Sequence, residues 1–256
     1  MSDYRTKIDE KAGRGARFEL YQFIRKSYAL AVGSVAGADG AMMHIPHGEP
    51  TSARQLRIIL DGGSALLEPG ALQYAKGKLS VEVQKNDSGG FFGRAVRSAG
   101  TGESGFATRY SGHGEVWTEP TAKQFIIAEM DGPSDALILD DKAFYACESS
   151  VQVKTHTHRS ISGVLSGNGL MQPKLEGTGV FVVESPVPVD EVEAIELDGS
   201  GELIVDGDLM MMYSASLTVE LRPLVRGLRN ALRSGEGLVF VFSGRGTVWL
   251  TPTMRL

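Results

Sequence analysis

Cysteine is almost missing from this chain: Cys147 is the only one in 256 residues. A single thiol excludes an intramolecular disulfide and a zinc site built on several thiolates. Positive charge is also in short supply. The formal net charge is -5 and the pI is about 5.6, whereas nonspecific binding to nucleic acid or anionic lipid needs concentrated positive charge to displace counterions. No nucleic-acid partner is expected. Long apolar runs are missing too, and none approaches the roughly 18 residues that a membrane-spanning helix requires. The first residues, MSDYRTKIDEKAGRGARFEL, are too polar for a secretory signal. A cytoplasmic protein without a transmembrane segment is therefore the expectation.

Glycine, by contrast, is plentiful. Its 32 residues cluster as G-x-G pairs between apolar stretches, which suits tight turns between short strands and predicts a mainly β chain. Self-similarity is the clearest signal. Asp61-Gly62 recurs as Asp131-Gly132 and Asp198-Gly199, 70 and 67 residues apart, each between two apolar stretches. Asp-Gly in that setting predicts a hairpin, because glycine accepts the positive φ of a tight turn. KLSVEV from Lys78, SVQVKT from Ser150 and SLTVEL from Ser216 alternate apolar and polar residues, the period of a half-buried strand. GHGEVWTEP from Gly112, GTGVFVVESP from Gly177 and GRGTVWLTP from Gly244 close the pattern at spacings of 65 and 67. Trp117 and Trp249 take equivalent places there.

These landmarks divide the chain into an N-terminal extension, 1–51, and three β units, 52–120, 121–186 and 187–256, fused into one body. Within the extension, RFELYQFI from Arg17 and SYALAV from Ser27 read as strands and GADGAMMHIPHGEPTS from Gly37 as a loop. An added hairpin covering a sheet edge is expected, with residues 1 to about 15 mobile. FFGRAVR from Phe91 and LVRGLRNALR from Leu224 have apolar residues at helical spacing and predict one or two short helices.

The Asp-Gly pairs, the phrase EPGALQY at Glu68 to Tyr74 and the three closing strands together resemble the AIM24 family over about residue 54 to the end. The resemblance implies three tandem units of the kind found once per subunit in the tryptophan-responsive RNA-binding attenuation protein, a double-stranded β-helix type, in a pseudo-threefold arrangement. It also implies a homo-oligomer. It supplies no catalytic residues, and the extension before Arg54 departs from the family's usual short start.

Several motifs have a plainer structural reading. Gly100, Gly102 and Gly105 satisfy G-x-G-x-x-G, but the strand-like FATRYSG follows where a dinucleotide site needs a helix. His156 and His158 stand two apart, share a face if the segment is a strand, and are the only candidates for a metal site. Without a third ligand they read as solvated histidines, as His44 and His47 read as loop residues. Cys147 and the methionines of Leu209 to Tyr213 read as core.

No nucleophile with a base, no paired-carboxylate signature and no cofactor motif stands out, so no catalytic or cofactor-binding residue is nominated and no cofactor is expected. The leading expectation is a non-catalytic scaffold, assembly or interaction module. A small-molecule or metal-binding β-barrel, with enzymatic activity left open, is the alternative, and RNA binding is the weakest. Peripheral membrane contact stays open through the two Arg-bearing segments.

Overall fold

The structure, a computed structural model, describes residues 4–25, 31–36, 42–47, 51–85, 105–140, 142–158, 171–206, 209–223 and 238–252. They form strands joined by short turns, with helical geometry confined to 3-10 turns such as Pro133–Asp135 and Val189–Glu191. The predicted helices at Phe91 and Leu224 lie outside the described residues, as do Gly100 and Gly102 of the glycine motif.

The N-terminal region supplies β1 (Thr6–Ala12), β2 (Ala16–Arg25) and a separate two-stranded hairpin of β3 (Ala31–Ala36) and β4 (Met42–His47). Two expectations are corrected. Residues expected to be mobile form β1, and part of the expected loop from Gly37 forms β4. The alternation of RFEL explains β2: Phe18 and Leu20 face the core, while Arg17 and Glu19 face outward. Glu19 is nevertheless buried, because Arg57 at 3.1 Å and the Tyr21 hydroxyl at 2.9 Å close over it.

The chain continues through β5 (Thr51–Leu67), β6 (Leu72–Lys85) and β7 (Gly105–Thr118), then β8 (Gln124–Met130), β9 (Leu137–Leu139), β10 (Phe144–Glu148), β11 (Val151–Thr157), β12 (Met171–Gly177) and β13 (Gly179–Ser185). The last set is β14 (Glu193–Asp198), β15 (Leu203–Asp206), β16 (Met210–Ser214), β17 (Thr218–Pro223), β18 (Leu238–Ser243) and β19 (Arg245–Leu250).

One sheet runs β1-β2-β5-β10-β13-β8 and nearly closes into a barrel, with β1 approaching β8 and Lys11 Nζ lying 4.0 Å from the Glu129 carboxylate. Its interior is packed by Phe18, Leu20, Leu56, Ile58, Leu60, Ile127, Tyr145 and Val182. A second sheet runs β11-β12-β9-β16-β19-β14, and a third is β15-β18-β17.

The Asp-Gly pairs do not make hairpins. Asp61-Gly62 lies inside the 17-residue β5, where the ladder to β7 slips between Asp61 and Ser64. Asp131-Gly132 and Asp198-Gly199 separate β8 from β9 and β14 from β15, strands that belong to different sheets. At the second and third pairs the chain leaves one sheet for another, and at the first it bends within one long strand. Gly62 and Gly199 take φ of 77° and 97° there, so the glycine is needed for the predicted reason in a different turn.

The pairing of successive strands is regular. β8 pairs β13, β9 pairs β12, β10 pairs β13 and β11 pairs β12. β14 pairs β19, β15 pairs β18, β16 pairs β19 and β17 pairs β18. In β5, β6 and β7 the corresponding halves pair likewise within longer strands. A register shift falls at Leu72/Tyr74, at Phe144/Ala146 and at Met210/Met212.

Candidate functional site

Two ladders join these strand sets. β5 meets β10 with Ala65 opposite Glu148, Leu66 opposite Cys147 and Leu67 opposite Ala146. β9 meets β16 with Leu137 opposite Ser214, Ile138 opposite Tyr213 and Leu139 opposite Met212. Both are extended by the same flanking hydrogen bonds. Glu68 N donates to Tyr145 O and Asp140 N to Met211 O, each at 2.8 Å. Ser149 N donates to Ser64 O and Ala215 N to Ala136 O.

β15 and β6 stand apart from such ladders. Among the described residues neither has such a partner: β15 pairs only with β18, and β6 only with β7. The side chains register the difference. Leu66 and Ile138 are 5% and 3% exposed, but Ile204, at the same distance before the acidic residue that ends the strand, is 48% exposed. Ala146 and Met212 are buried, whereas Tyr74 is 40% exposed. Leu72, Val81 and Val83 are exposed as well, so the half-buried strand expected from KLSVEV is an almost fully exposed edge. Unpaired backbone and unburied apolar side chains coincide on both open edges, the condition in which an edge strand templates a further one.

A second feature is a cleft of about 530 Å³ between β8 and β14, floored by β13, β16 and β19. Its walls include Ile126, Ala128, Phe181, Met211, Met212 and Trp249, with Glu129 and Asp135 at the rim. Two residues of the methionine run thus pack as core on one side and line a cleft on the other.

The histidines nominated from sequence stand close together, with ring centroids 4.7 Å apart. His156, the last residue but one of β11, lies opposite Gln172 and is half-buried. His158 is not solvated as expected but buried, its Nε2 lying 2.7 Å from Gln172 Oε1 and 3.1 Å from the Tyr213 hydroxyl. Tyr213 also donates to Gln172 Oε1 at 3.1 Å. The ring is enclosed by Tyr213 and Phe240. Burial holds both histidines below the usual imidazole range, His156 further through the neighbouring His158 and Lys174. Among the described residues no three His, Cys, Asp or Glu side chains gather as a metal-holding group.

Cys147 is core, as read: it is fully buried, burial pushes its thiol pKa up, and Sγ lies 3.6 Å from Val151 O. Glu68, in the phrase EPGALQY, has its carboxyl pushed up to about 7, first by burial and then by Glu184, with Lys123 opposing.

With this geometry in view, the comparisons are informative about kinship. The family model described as Mitochondrial biogenesis AIM24 matches residues 48–253. The chain belongs to the AIM24 family. An uncharacterized protein of Streptococcus pyogenes serotype M6, M6_Spy0233, is 28% identical over 196 residues, covering 74% of this chain and 77% of that one. The crystal structure of protein SPYM3_0169 from Streptococcus pyogenes aligns with a TM-score of 0.57 at 26% identity, over 79% of this chain and 89% of that one. Neither protein's name carries an activity. Among the described residues no helix is long and apolar enough to cross a membrane.

Sequence reading missed the open edges, because it looked for what recurs. A usable signal was present: Ile204, Val81 and Val83 are apolar at places where strands without a partner would favour charge.

Proposed function

We propose that this AIM24-family chain is a non-catalytic assembly module, made of three tandem β units that join copies of itself through two complementary sheet edges. The observation behind it is the exposure of Ile204 and Tyr74, whose counterparts at the two internal ladders are buried. Within the chain, the first unit lends β5 to β10 and the second lends β9 to β16. The third unit's β15 has the same role to fill, and the first unit's β6 is the matching acceptor. Carrying over the register of the internal ladders places Leu203 opposite Lys76, Ile204 opposite Ala75 and Val205 opposite Tyr74. Because β15 and β6 are different surfaces of the chain, their union is head-to-tail, and copies joined this way close into a ring of several chains or run on as a filament.

Light scattering on the purified protein tests this: the expected mass is a multiple of 27.4 kDa. The Ile204→Pro variant should lower it to one chain. By the pattern of flanking bonds at Ile138, the N–H of residue 204 faces the open edge, so proline there removes an intermolecular donor and spares the ladder to β18. A monomer at every concentration overturns the proposal.

A further inference from the structure

We propose that the cleft between β8 and β14 is a docking site for an extended segment of a partner protein, one with apolar residues at alternate positions and basic residues between them. The inference rests on the three-unit reading given above and is independent of self-association.

The barrel enclosed by the first two units shows what this kind of space holds. Counting back from each Asp-Gly pair, Leu56, Ile58 and Leu60 of β5 correspond to Ile126, Ala128 and Met130 of β8. Phe125 and Ile127 of β8 correspond to Val192, just before β14, and Ala194 within it. Tyr145 and Ala146 correspond to Met211 and Met212, and counting from the closing glycines Val182 corresponds to Trp249. Every residue in the first member of these correspondences packs the barrel interior. Every residue in the second lines the cleft. The two spaces are counterparts, one sealed and one open.

What seals the first is β2. Ala16, Phe18 and Leu20 project into the barrel opposite Leu60, Ile58 and Leu56, and all three are buried. Nothing among the described residues does the same between β8 and β14. The consequence shows in burial: Leu56 and Ile58 are fully enclosed, whereas Ile126 and Ala128 are half-exposed and Ala194 is exposed. Ala128 stands where Ile58 faces Phe18, so the cleft leaves more room at the position an aromatic would take.

Backbone is available as well as side-chain space. β14 pairs β19 on one edge and has no ladder on the other among the described residues. An extended segment laid along that edge can hydrogen-bond to β14 and direct alternate side chains into the cleft, the strand-addition mode of peptide recognition. The surroundings set the charge of the intervening residues. Glu129 and Asp135 line the rim, and Asp190, Glu191, Glu193, Glu196 and Asp198 are exposed around it. Against these acidic residues stand Lys11, 4.0 Å from Glu129, and Arg245, opposite Asp198 in the β14–β19 ladder, so negative charge predominates. A basic segment is favoured over the mixed-charge sequence of β2 itself.

The probe is a labelled peptide, ARFRLRQ, which is the Ala16–Gln22 sequence with arginine at the positions of Glu19 and Tyr21, titrated into the full chain by fluorescence anisotropy. Saturable binding is expected. Ala194→Trp, an exposed wall position that leaves the core intact, should weaken it by about tenfold or more, and Glu193→Lys with Glu196→Lys should weaken it and flatten its salt dependence. A peptide with serine in place of the phenylalanine should not bind. Absence of binding, or binding untouched by Ala194→Trp, overturns the proposal. So does an apolar dye that Ala194→Trp displaces when the peptide does not bind, which would make the cleft a small-molecule site. Light scattering on the same samples reports self-association separately, so failure of one reading is not mistaken for failure of the other.

Discussion

Gly63 lies so close to Gly15 that a Cβ built on it would sit 2.2 Å from the Gly15 carbonyl oxygen. The same Gly15 donates its N–H to Glu148 Oε1 at 2.9 Å, and its oxygen accepts from Asp61 N at 3.3 Å. The β1–β2 turn, the corner of β5 and the end of β10 therefore meet at one backbone contact. The contact ties the β1–β2 turn to the corner of β5, at the end of the ladder that joins β2 to β5. Gly63→Ala is expected to destabilise the protein by about 2–4 kcal/mol, because the clash is with backbone that cannot rotate away. Urea melts of the variant and the parent measure it. A difference below about 0.5 kcal/mol would show that the hairpin is not held at this point.

Glu68 gives the protein a pH dependence of definite sign. Its carboxyl ordinarily titrates near 4.5 and is pushed up to about 7, so between those values the folded state keeps a proton that the unfolded chain releases. Stability is full below pH 4.5 and declines as pH rises through 7, by an amount on the order of 3 kcal/mol. Glu68→Gln should therefore stabilise the fold at pH 8, by roughly 1–3 kcal/mol, and be close to neutral at pH 4.5. Thermal melts at the two pH values distinguish this from a general effect. An equal change at both would exclude the titration of Glu68 as the cause.

The cluster of His158, Gln172 and Tyr213 behaves differently, because its groups depend on a shared acceptor. Gln172 Oε1 receives the Tyr213 hydroxyl and faces His158 Nε2, all three being buried. Tyr213→Phe removes one donor together with its need for a partner and should cost about 1 kcal/mol. Gln172→Leu removes the acceptor that both other groups share, leaving His158 Nε2 and the Tyr213 hydroxyl only each other at 3.1 Å, and should cost about 2–3 kcal/mol. Chemical denaturation ranks the two, and a larger loss for Tyr213→Phe would mean that Gln172 is not the hub.

Much of this was legible in the sequence, and the rest was hidden for identifiable reasons. Alternation and glycine spacing point to a mainly β chain, and the AIM24 resemblance rests in part on the Asp-Gly pairs. Their geometry was misread, because Asp-Gly reports positive φ and not which strands it connects. His158 was expected in solvent because its partners, Gln172 and Tyr213, are 14 and 55 residues away. Nothing local announces them. The cleft was equally invisible, since Met211, Met212 and Trp249 look like core whether or not the opposite wall is filled.

The register proposed for the open edges makes a prediction that no loose association would satisfy. At the internal ladder the pair Ile138–Tyr213 lies between the hydrogen bonds of Asp140 with Met211 and of Ala136 with Ala215, which makes it a hydrogen-bonded pair. Ile204 and Ala75 take the corresponding places, and such pairs have Cα atoms about 5.5 Å apart, within the span of a disulfide. Both residues are exposed, so cysteine at either should leave the fold intact, and the native Cys147 is too deeply buried to interfere. Ile204→Cys and Ala75→Cys proteins, each oxidised alone, should not cross-link through these positions, because head-to-tail contact brings 204 against 75 and never against itself. Mixed, they should form a disulfide dimer visible on a non-reducing gel. The double variant should extend into a ladder or a closed ring of several chains. A double variant that cross-links only within single chains would place the closure inside the molecule and remove the basis for assembly between copies.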